Sequence, residues 1–298
     1  MMILFCLLLG LGDTYLNDFM ELGIGARALG MGNAFIGLAD DATSVYWNPS
    51  GLTKAKKKEL FLMRSGDFND AVTVNSGMIA YPLKNCTIGA GVYAVGVSGI
   101  PLTDTINVET AIETGTISAT DYVCYFSFAK PLGVLNVGTS FKYIYRDWSI
   151  ATAEGMSVDL GMNSKFNGIN YGINIENLVT TPLYWSDTLA TKDNLPVLVK
   201  YGVALEHNLV DTNSIINICL GFDTSLKKRI AEFTSLNTDA YLGAEYWWKK
   251  QLAVRIGADR GNFTMGCGLV YQSVKVDCAF KFHPDLGLVK RLSGSILF

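Results

Sequence analysis

From Leu60 onward the sequence alternates between apolar and polar residues with a period of two, and this pattern constrains the fold more than any other feature. In 155–166 the even positions are Met156, Val158, Leu160, Met162, Ser164 and Phe166, opposed to Gly155, Ser157, Asp159, Gly161, Asn163 and Lys165. In 134–146, Leu135, Val137, Phe141, Tyr143 and Tyr145 oppose Asn136, Gly138, Ser140, Lys142 and Arg146, and 274–282 sets Val274, Val276, Cys278, Phe280 and Phe282 against Lys275, Asp277, Ala279 and Lys281. Side chains of a strand point to opposite faces in turn, so each segment reads as a strand with one greasy and one hydrophilic face.

Which face meets water follows from composition. Charged residues make up 17% of the chain, against roughly 25% in soluble domains, too few to cover a water-facing surface. No apolar run of about 18 residues follows the first dozen positions, so transmembrane helices are excluded. An apolar, charge-poor chain that alternates matches an antiparallel transmembrane β-barrel, the one spanning architecture besides the helix that satisfies every backbone group.

Strands are predicted near 60–63, 72–81, 86–97, 121–129, 134–146, 155–166, 169–175, 196–205, 215–223, 240–248, 252–259, 263–271, 274–282 and 291–298. These are about 14, an even number as bacterial outer-membrane barrels require. Short connections, among them the hairpin dipeptide Asn167-Gly168, alternate with longer ones at 98–120, 176–195 and 224–239. Periplasmic turns and external loops alternate in this way, which would leave both termini in the periplasm. A turn at Lys249-Lys250-Gln251 pairs Trp248 with Leu252, Tyr246 with Val254, Ala244 with Ile256 and Leu242 with Ala258, and on the inner face sets Glu245 opposite Arg255. That ion pair reads either as a pore constriction or as a structural contact in a filled barrel. Apolar residues alternate up to Phe298, similar to the terminal strand of outer-membrane barrels.

The N-terminal part divides differently. Residues 1–12 look like the apolar core of a secretory signal, without a basic residue ahead of it; a buried strand is the alternative. Cys6 lacks the small residues of a lipidation site. Residues 13–58 form a separate N-terminal region and 59–298 the barrel. Within the former, 23–52 keeps neither helix nor strand period and is rich in glycine, with the adjacent acids Asp40 and Asp41 and the turn Trp47-Asn48-Pro49-Ser50-Gly51. It is expected to plug the lumen.

Catalytic constellations are missing. His207 and His283 fall on opposite sides of the membrane in this topology and cannot share a metal or a relay. Five cysteines follow the signal-like segment: Cys86, Cys124, Cys219, Cys267 and Cys278. An odd number without metal spacing is no disulfide framework; Cys267 and Cys278 face each other across a hairpin, as small lipid-facing residues. Gly23-Ile24-Gly25-Ala26-Arg27-Ala28 matches a loose dinucleotide pattern but lacks the strand–turn–helix setting that would give it meaning. A net charge of −3 gives no reason to expect nucleic acid. No cofactor, metal or enzymatic activity is expected.

The segment 23–52 also carries a resemblance. Gly25-Ala26-Arg27, Gly30-Met31-Gly32, Ala34-Phe35, Asp40-Asp41-Ala42 and Tyr46-Trp47-Asn48-Pro49-Ser50-Gly51-Leu52 resemble the N-terminal signature of the PorV/PorQ family, within the FadL-type outer-membrane superfamily. Asn174-Ile175-Glu176-Asn177-Leu178, Leu195-Pro196, Gly243-Ala244-Glu245-Tyr246-Trp247, Arg255-Ile256-Gly257 and Phe263-Thr264-Met265-Gly266 extend the likeness. Ser50 departs from it, where alanine is usual. The resemblance implies a 14-stranded FadL-like barrel in the bacterial outer membrane whose plug motif comprises Arg27, Gly30, Met31, Gly32, Asp40, Asp41, Trp47, Asn48, Pro49 and Gly51. Two functions follow from different classes. One is a non-catalytic protein that binds components or secreted cargo of a type IX-like secretion system through its external loops; the other is a FadL-like channel for hydrophobic small molecules. The inward charges Lys142, Arg146, Asp159, Lys165, Lys200, Glu245, Arg255, Asp277 and Lys281 favour the first, because a conduit should have an apolar lumen.

Overall fold

A computed structural model describes residues 18–107, 110–186, 191–227 and 235–298. The signal-like segment 1–12 lies outside the described residues. Among the described residues one antiparallel sheet of 16 strands is present: β1 (Glu59–Asp67), β2 (Val72–Pro82), β3 (Thr87–Asn107), β4 (Thr110–Leu132), β5 (Leu135–Asp147), β6 (Thr152–Phe166), β7 (Ile169–Thr180), β8 (Leu183–Trp185), β9 (Lys192–Asp193), β10 (Leu198–Leu209), β11 (Ser214–Lys227), β12 (Ser235–Trp248), β13 (Leu252–Asp259), β14 (Asn262–Tyr271), β15 (Val274–His283) and β16 (Gly287–Leu297). The short β8 and β9 attach beside β6; the other 14 close on themselves, β1 pairing with both β2 and β16. Closure leaves no wall edge unpaired, as a bilayer demands.

The alternation is realised in three dimensions. Leu62, Val92, Phe126, Val254, Ile256 and Leu292 point outward and are exposed, while Lys142, Asp159, Lys200, Glu245, Arg255 and Asp277 of the wall strands are buried inside. An apolar band around a polar interior belongs to a protein that spans a bilayer. Register follows the turns. Asn167 and Gly168 both have positive φ, 49° and 81°, the type I′ geometry that matches strand twist. The β12–β13 hairpin pairs Trp248 with Leu252 and Glu245 with Arg255, and Tyr271 with Val274 closes the next hairpin but one.

Three predicted loops are partly sheet. β3 and β4 run on together through most of 98–120, and β7, β11 and β12 also reach further into the outer connections than predicted. Past Gly96 on β3 and Thr120 on β4 the neighbouring strands have ended, so the pair projects as a two-stranded arm. With no bilayer on one face and no lumen on the other, the arm has no reason to alternate, and its sequence hides it.

One strand is deformed. Between Leu160↔Ile175 and Val158↔Val179 the register shifts, and Asn177 takes φ 57°. The bulge buries both Glu176 and Asn177, so β7 breaks its parity at this point. Asn177 N donates to Asp159 Oδ1 (2.9 Å) and its Nδ2 to Pro196 O (2.9 Å), while Lys142 Nζ and Ser157 Oγ each donate to its Oδ1 (2.8 Å).

Candidate functional site

Residues 23–52 are buried almost throughout, surrounded by the wall. They are neither helix nor strand for long: α1 (Ala26–Gly30), α2 (Ser44–Trp47) and a 3₁₀ turn at Pro49–Lys54 are joined by tight bends. The path needs backbone without side chains. Gly32 has φ 60°, and a Cβ there would stand 2.5 Å from the carbonyls of Leu242 and Ala258; one on Gly37 would stand 2.8 Å from the Val203 backbone. The wall reciprocates, since a Cβ on Gly172, Gly243 or Gly257 would run into Ile36, Met31 or Gly32. Segment and wall therefore meet backbone to backbone.

Arg27 is the electrostatic centre. Its Nε and Nη2 donate to the two Glu245 carboxylate oxygens, both at 2.9 Å, and its Nη1 to Asp40 Oδ1 at 2.6 Å. Asp41 lies 3.4 Å from the same Nη1 and 3.7 Å from Lys275 Nζ. Glu245 also accepts from Arg255 Nε (2.6 Å) and Asn217 Nδ2 (2.9 Å), and Arg255 Nη1 lies 2.8 Å from Asp277 Oδ1. Glu245 and Arg255, 1% and 2% exposed, thus join the segment to four wall strands. A guanidinium holding a carboxylate through two donors fixes orientation as well as charge.

The remaining motif residues are placed around this centre. Met31 is fully buried, and Gly30 O accepts from Thr264 Oγ1 at 3.3 Å. Trp47 Nε1 donates to Ile24 O at 2.9 Å. Asn48 Oδ1 accepts from Ser50 N (3.2 Å), capping the 3₁₀ turn whose first residue is Pro49, while its Nδ2 reaches Met162 O at 3.2 Å. Ser50 accepts from Asn163 Nδ2 at 2.8 Å through its hydroxyl. Gly51 passes against the Ala39 carbonyl. Asp41 Oδ1 accepts from Thr43 N at 3.0 Å, opening the turn into α2.

Sequence reasoning missed the cavity at the outer mouth. The first described residues, Asp18–Leu22, belong to a 3₁₀ turn whose Glu21 approaches Arg260 of the β13–β14 turn at 3.9 Å. The described chain therefore starts at the outer end of the lumen and leaves it at the periplasmic end, beside β1. Between this turn, Leu29 of α1 and the outer turns lies a cavity of about 360 Å³. Leu22, Leu29, Phe68, Leu286 and Val289 give it apolar walls; Arg260, Lys281, His283 and Arg291 add basic groups. Asp259 engages Lys281 at 2.7 Å and Arg260 at 3.3 Å, and Asp67 lies 3.6 Å from Arg291. Arg291 Nη1 is buried and has no hydrogen-bond partner. Burial would lower the Arg260 pKa, but Tyr241, Asp259, Asp239 and Glu21 outweigh it and hold the group above its ordinary value, charged at every accessible pH. His283 Nδ1 accepts from Asp285 N and Leu286 N (3.2 and 3.1 Å), a structural role at a turn. The cavity draws single residues from elements far apart in sequence, and no local spacing betrays it.

Cys267 and Cys278 are cross-strand partners with sulfurs 3.1 Å apart and unbridged. Among the described residues no cluster of His, Cys, Asp or Glu could hold a metal. His207 is exposed on β10, near the periplasmic turn. Of the predicted lumen charges, Lys165 differs: it lies at the end of β6, exposed and 3.7 Å from Glu206, because the lumen has ended there.

No family model matches the chain, and no curated protein matches it. Solved structures do. The Pseudomonas putida toluene transporter TodX aligns with a TM-score of 0.59 at 12% identity over 87% of this chain and 94% of its own. A TodX monoaromatic hydrocarbon channel deltaS2 mutant gives 0.65 at 12% over 92% and 99%, and a Pseudomonas aeruginosa FadL homologue 0.57 at 10% over 91% and 98%. At such identities the likeness concerns the fold: a closed 14-stranded barrel of the FadL outer-membrane type.

Proposed function

We propose that this protein is a non-catalytic conduit of the bacterial outer membrane for hydrophobic small molecules, taken up by a greasy body and an anionic end at the outer mouth. The observation that carries this reading is the mouth cavity, whose apolar walls stand beside Arg260, Lys281 and the unpartnered Nη1 of Arg291. The toluene transporter and the hydrocarbon channel among the structural neighbours support it. Lys165 apart, the inward charges that argued for the other function are held in buried ion pairs, among them Lys142 with Asp159, Arg146 with Asp121, Lys200 with Glu176 and Glu245 with Arg255 and Arg27, so they do not line an open passage. Apart from Lys281, which lines the mouth cavity, they describe how the lumen is filled, not what the mouth binds.

Uptake into proteoliposomes tests the reading with decanoate and decanol. Wild-type protein is expected to bind and admit both, and Lys281→Met to weaken decanoate by about tenfold while leaving decanol, since a charge-assisted hydrogen bond is worth about 1.5–3 kcal/mol. Uptake no faster than across protein-free vesicles would sink the proposal.

The docking function, with the PorV/PorQ likeness and secretion-system cargo behind it, is favoured by a different observation, the β3–β4 arm. Among the described residues its backbone edges beyond Gly96 and Thr120 pair with no further strand, only Ser118 being met there, by the Ser149 hydroxyl, and such edges accept an added strand. Affinity capture from outer membranes with and without 98–119 would discriminate: loss of a secreted protein on deletion supports docking.

A further inference from the structure

A second concavity lies on the opposite side of the wall, facing the bilayer. It is a groove of about 600 Å³ across β15, β16, β1, β2 and β3, spanning the seam at which β1 and β16 close the barrel. Register builds its floor. One outward row runs Val276, Gly294, Leu62, Gly77 and Val92, each paired with the next. Leu62, Val92 and Val276 stand up into lipid, 60%, 47% and 44% exposed, and the two glycines leave depressions between them.

The next row toward the outside runs Cys278, Leu292, Arg64, Asn75 and Ala94. Arg64 is exposed on the lipid face, and among the described residues it has no ion pair and no hydrogen bond. The apolar band does not end at its level, because β15 carries Phe280 and Phe282 outward beyond Cys278. Lys290, one outward step higher on β16, is already engaged by Asp70 at 3.5 Å. A lone guanidinium on the lipid face of a barrel is costly and calls for an anion. Whatever supplies that anion must arrive through the bilayer, and beside Arg64 lies a trough of apolar residues floored by glycine.

We propose that the groove is a binding site for one anionic phospholipid, its acyl chain lying over Gly77 and Gly294 and its phosphate paired with the Arg64 guanidinium, with the Asn75 amide as a second donor. The site is independent of the mouth cavity and of what passes through it. Charge complementarity selects the headgroup, and the glycine floor selects a linear chain over a bulky ring.

Native mass spectrometry of the full chain in detergent, titrated with phosphatidylglycerol or phosphatidylcholine of the same acyl length, tests this directly. Wild-type protein is expected to retain one phosphatidylglycerol with a preference of roughly fivefold, the effect of one cation at an anionic lipid headgroup. Arg64→Met should abolish the preference while keeping weak binding of both lipids; Gly77→Leu, which fills the trough, should weaken both. Heat-modifiable mobility of each variant reports folding, and Arg64→Met, being outside the packed interior, keeps the test valid if Gly77→Leu fails to fold. Equal retention of the two lipids by wild-type protein, unchanged preference in Arg64→Met, or a dimer of the chain in place of a lipid adduct would overturn the proposal.

Discussion

Replacing Glu245 with Gln probes the junction between segment and wall most sharply. The carboxylate accepts two donors from Arg27, one from Arg255 and one from Asn217, all between 2.6 and 2.9 Å. Removing one partner of a buried ion pair costs about 3–5 kcal/mol, because a charge is left uncompensated. Here the loss is offset in part: Arg27 keeps Asp40 at 2.6 Å, and Arg255 keeps Asp277 at 2.8 Å. The expected destabilisation is thus near the lower end, about 3 kcal/mol, which shifts the folded-to-unfolded ratio by more than about 100-fold. Urea titration of protein folded into vesicles, followed by tryptophan fluorescence and gel mobility, measures it. The double variant Arg27→Met with Glu245→Gln leaves one guanidinium fewer to satisfy, and should recover at least about 1 kcal/mol relative to the sum of the single changes. A loss within about 0.5 kcal/mol for Glu245→Gln, or strict additivity, would refute the claim that these groups hold the segment in place.

Gly257→Ala should wedge segment from wall, at a cost of about 1–3 kcal/mol typical of overpacking, and raise single-channel conductance; unaltered values in both assays would count against the backbone contact. Asn177→Ala should cost about 1–3 kcal/mol by removing the partner of Ser157 Oγ and Pro196 O, while Lys142 keeps Asp159, with faster amide exchange confined to β6 and β7 as the diagnostic. Intact mass without reductant should show Cys267 and Cys278 as thiols, and a mass lower by about two hydrogens would contradict the unbridged pair. Deleting 26–52 is expected to give a barrel that misassembles or leaks, so unchanged heat-modifiable folding and conductance would remove the plugging role from the segment.

How much of this was legible in the sequence depended on whether two faces of a strand met different surroundings. Where one met lipid and the other the polar interior, as in 155–166 and 274–282, parity gave strand, register and orientation together. Beyond the bilayer the contrast vanishes, and the β3–β4 arm passed for a loop. Arg64 shows the reverse failure: a cation on the greasy face breaks the alternation, so the pattern predicts a strand only over 60–63, ending before the residue that makes the outer surface of β1 chemically distinctive. The bulge at Asn177 was hidden because its cause, Asp159, lies on another strand. Within 23–52 the residues were found but not their partners, since Arg27 meets Glu245 across 218 positions of chain.

The close fit of segment to wall also bears on the order of assembly. Between the carbonyls of Leu242 and Ala258 and the Val203 backbone there is no clearance for Gly32 and Gly37 to be threaded through a finished cylinder. The sheet has to curl around a segment already lying on its inner surface before β1 and β16 pair along the seam from Glu59–Leu297 to Gly66–Lys290. Closure then traps 23–52 as a captive part, and its escape in the folded state requires the seam to part. Such a protein should insert slowly, because its most distant contacts form together, and should hold its interior for as long as that seam survives.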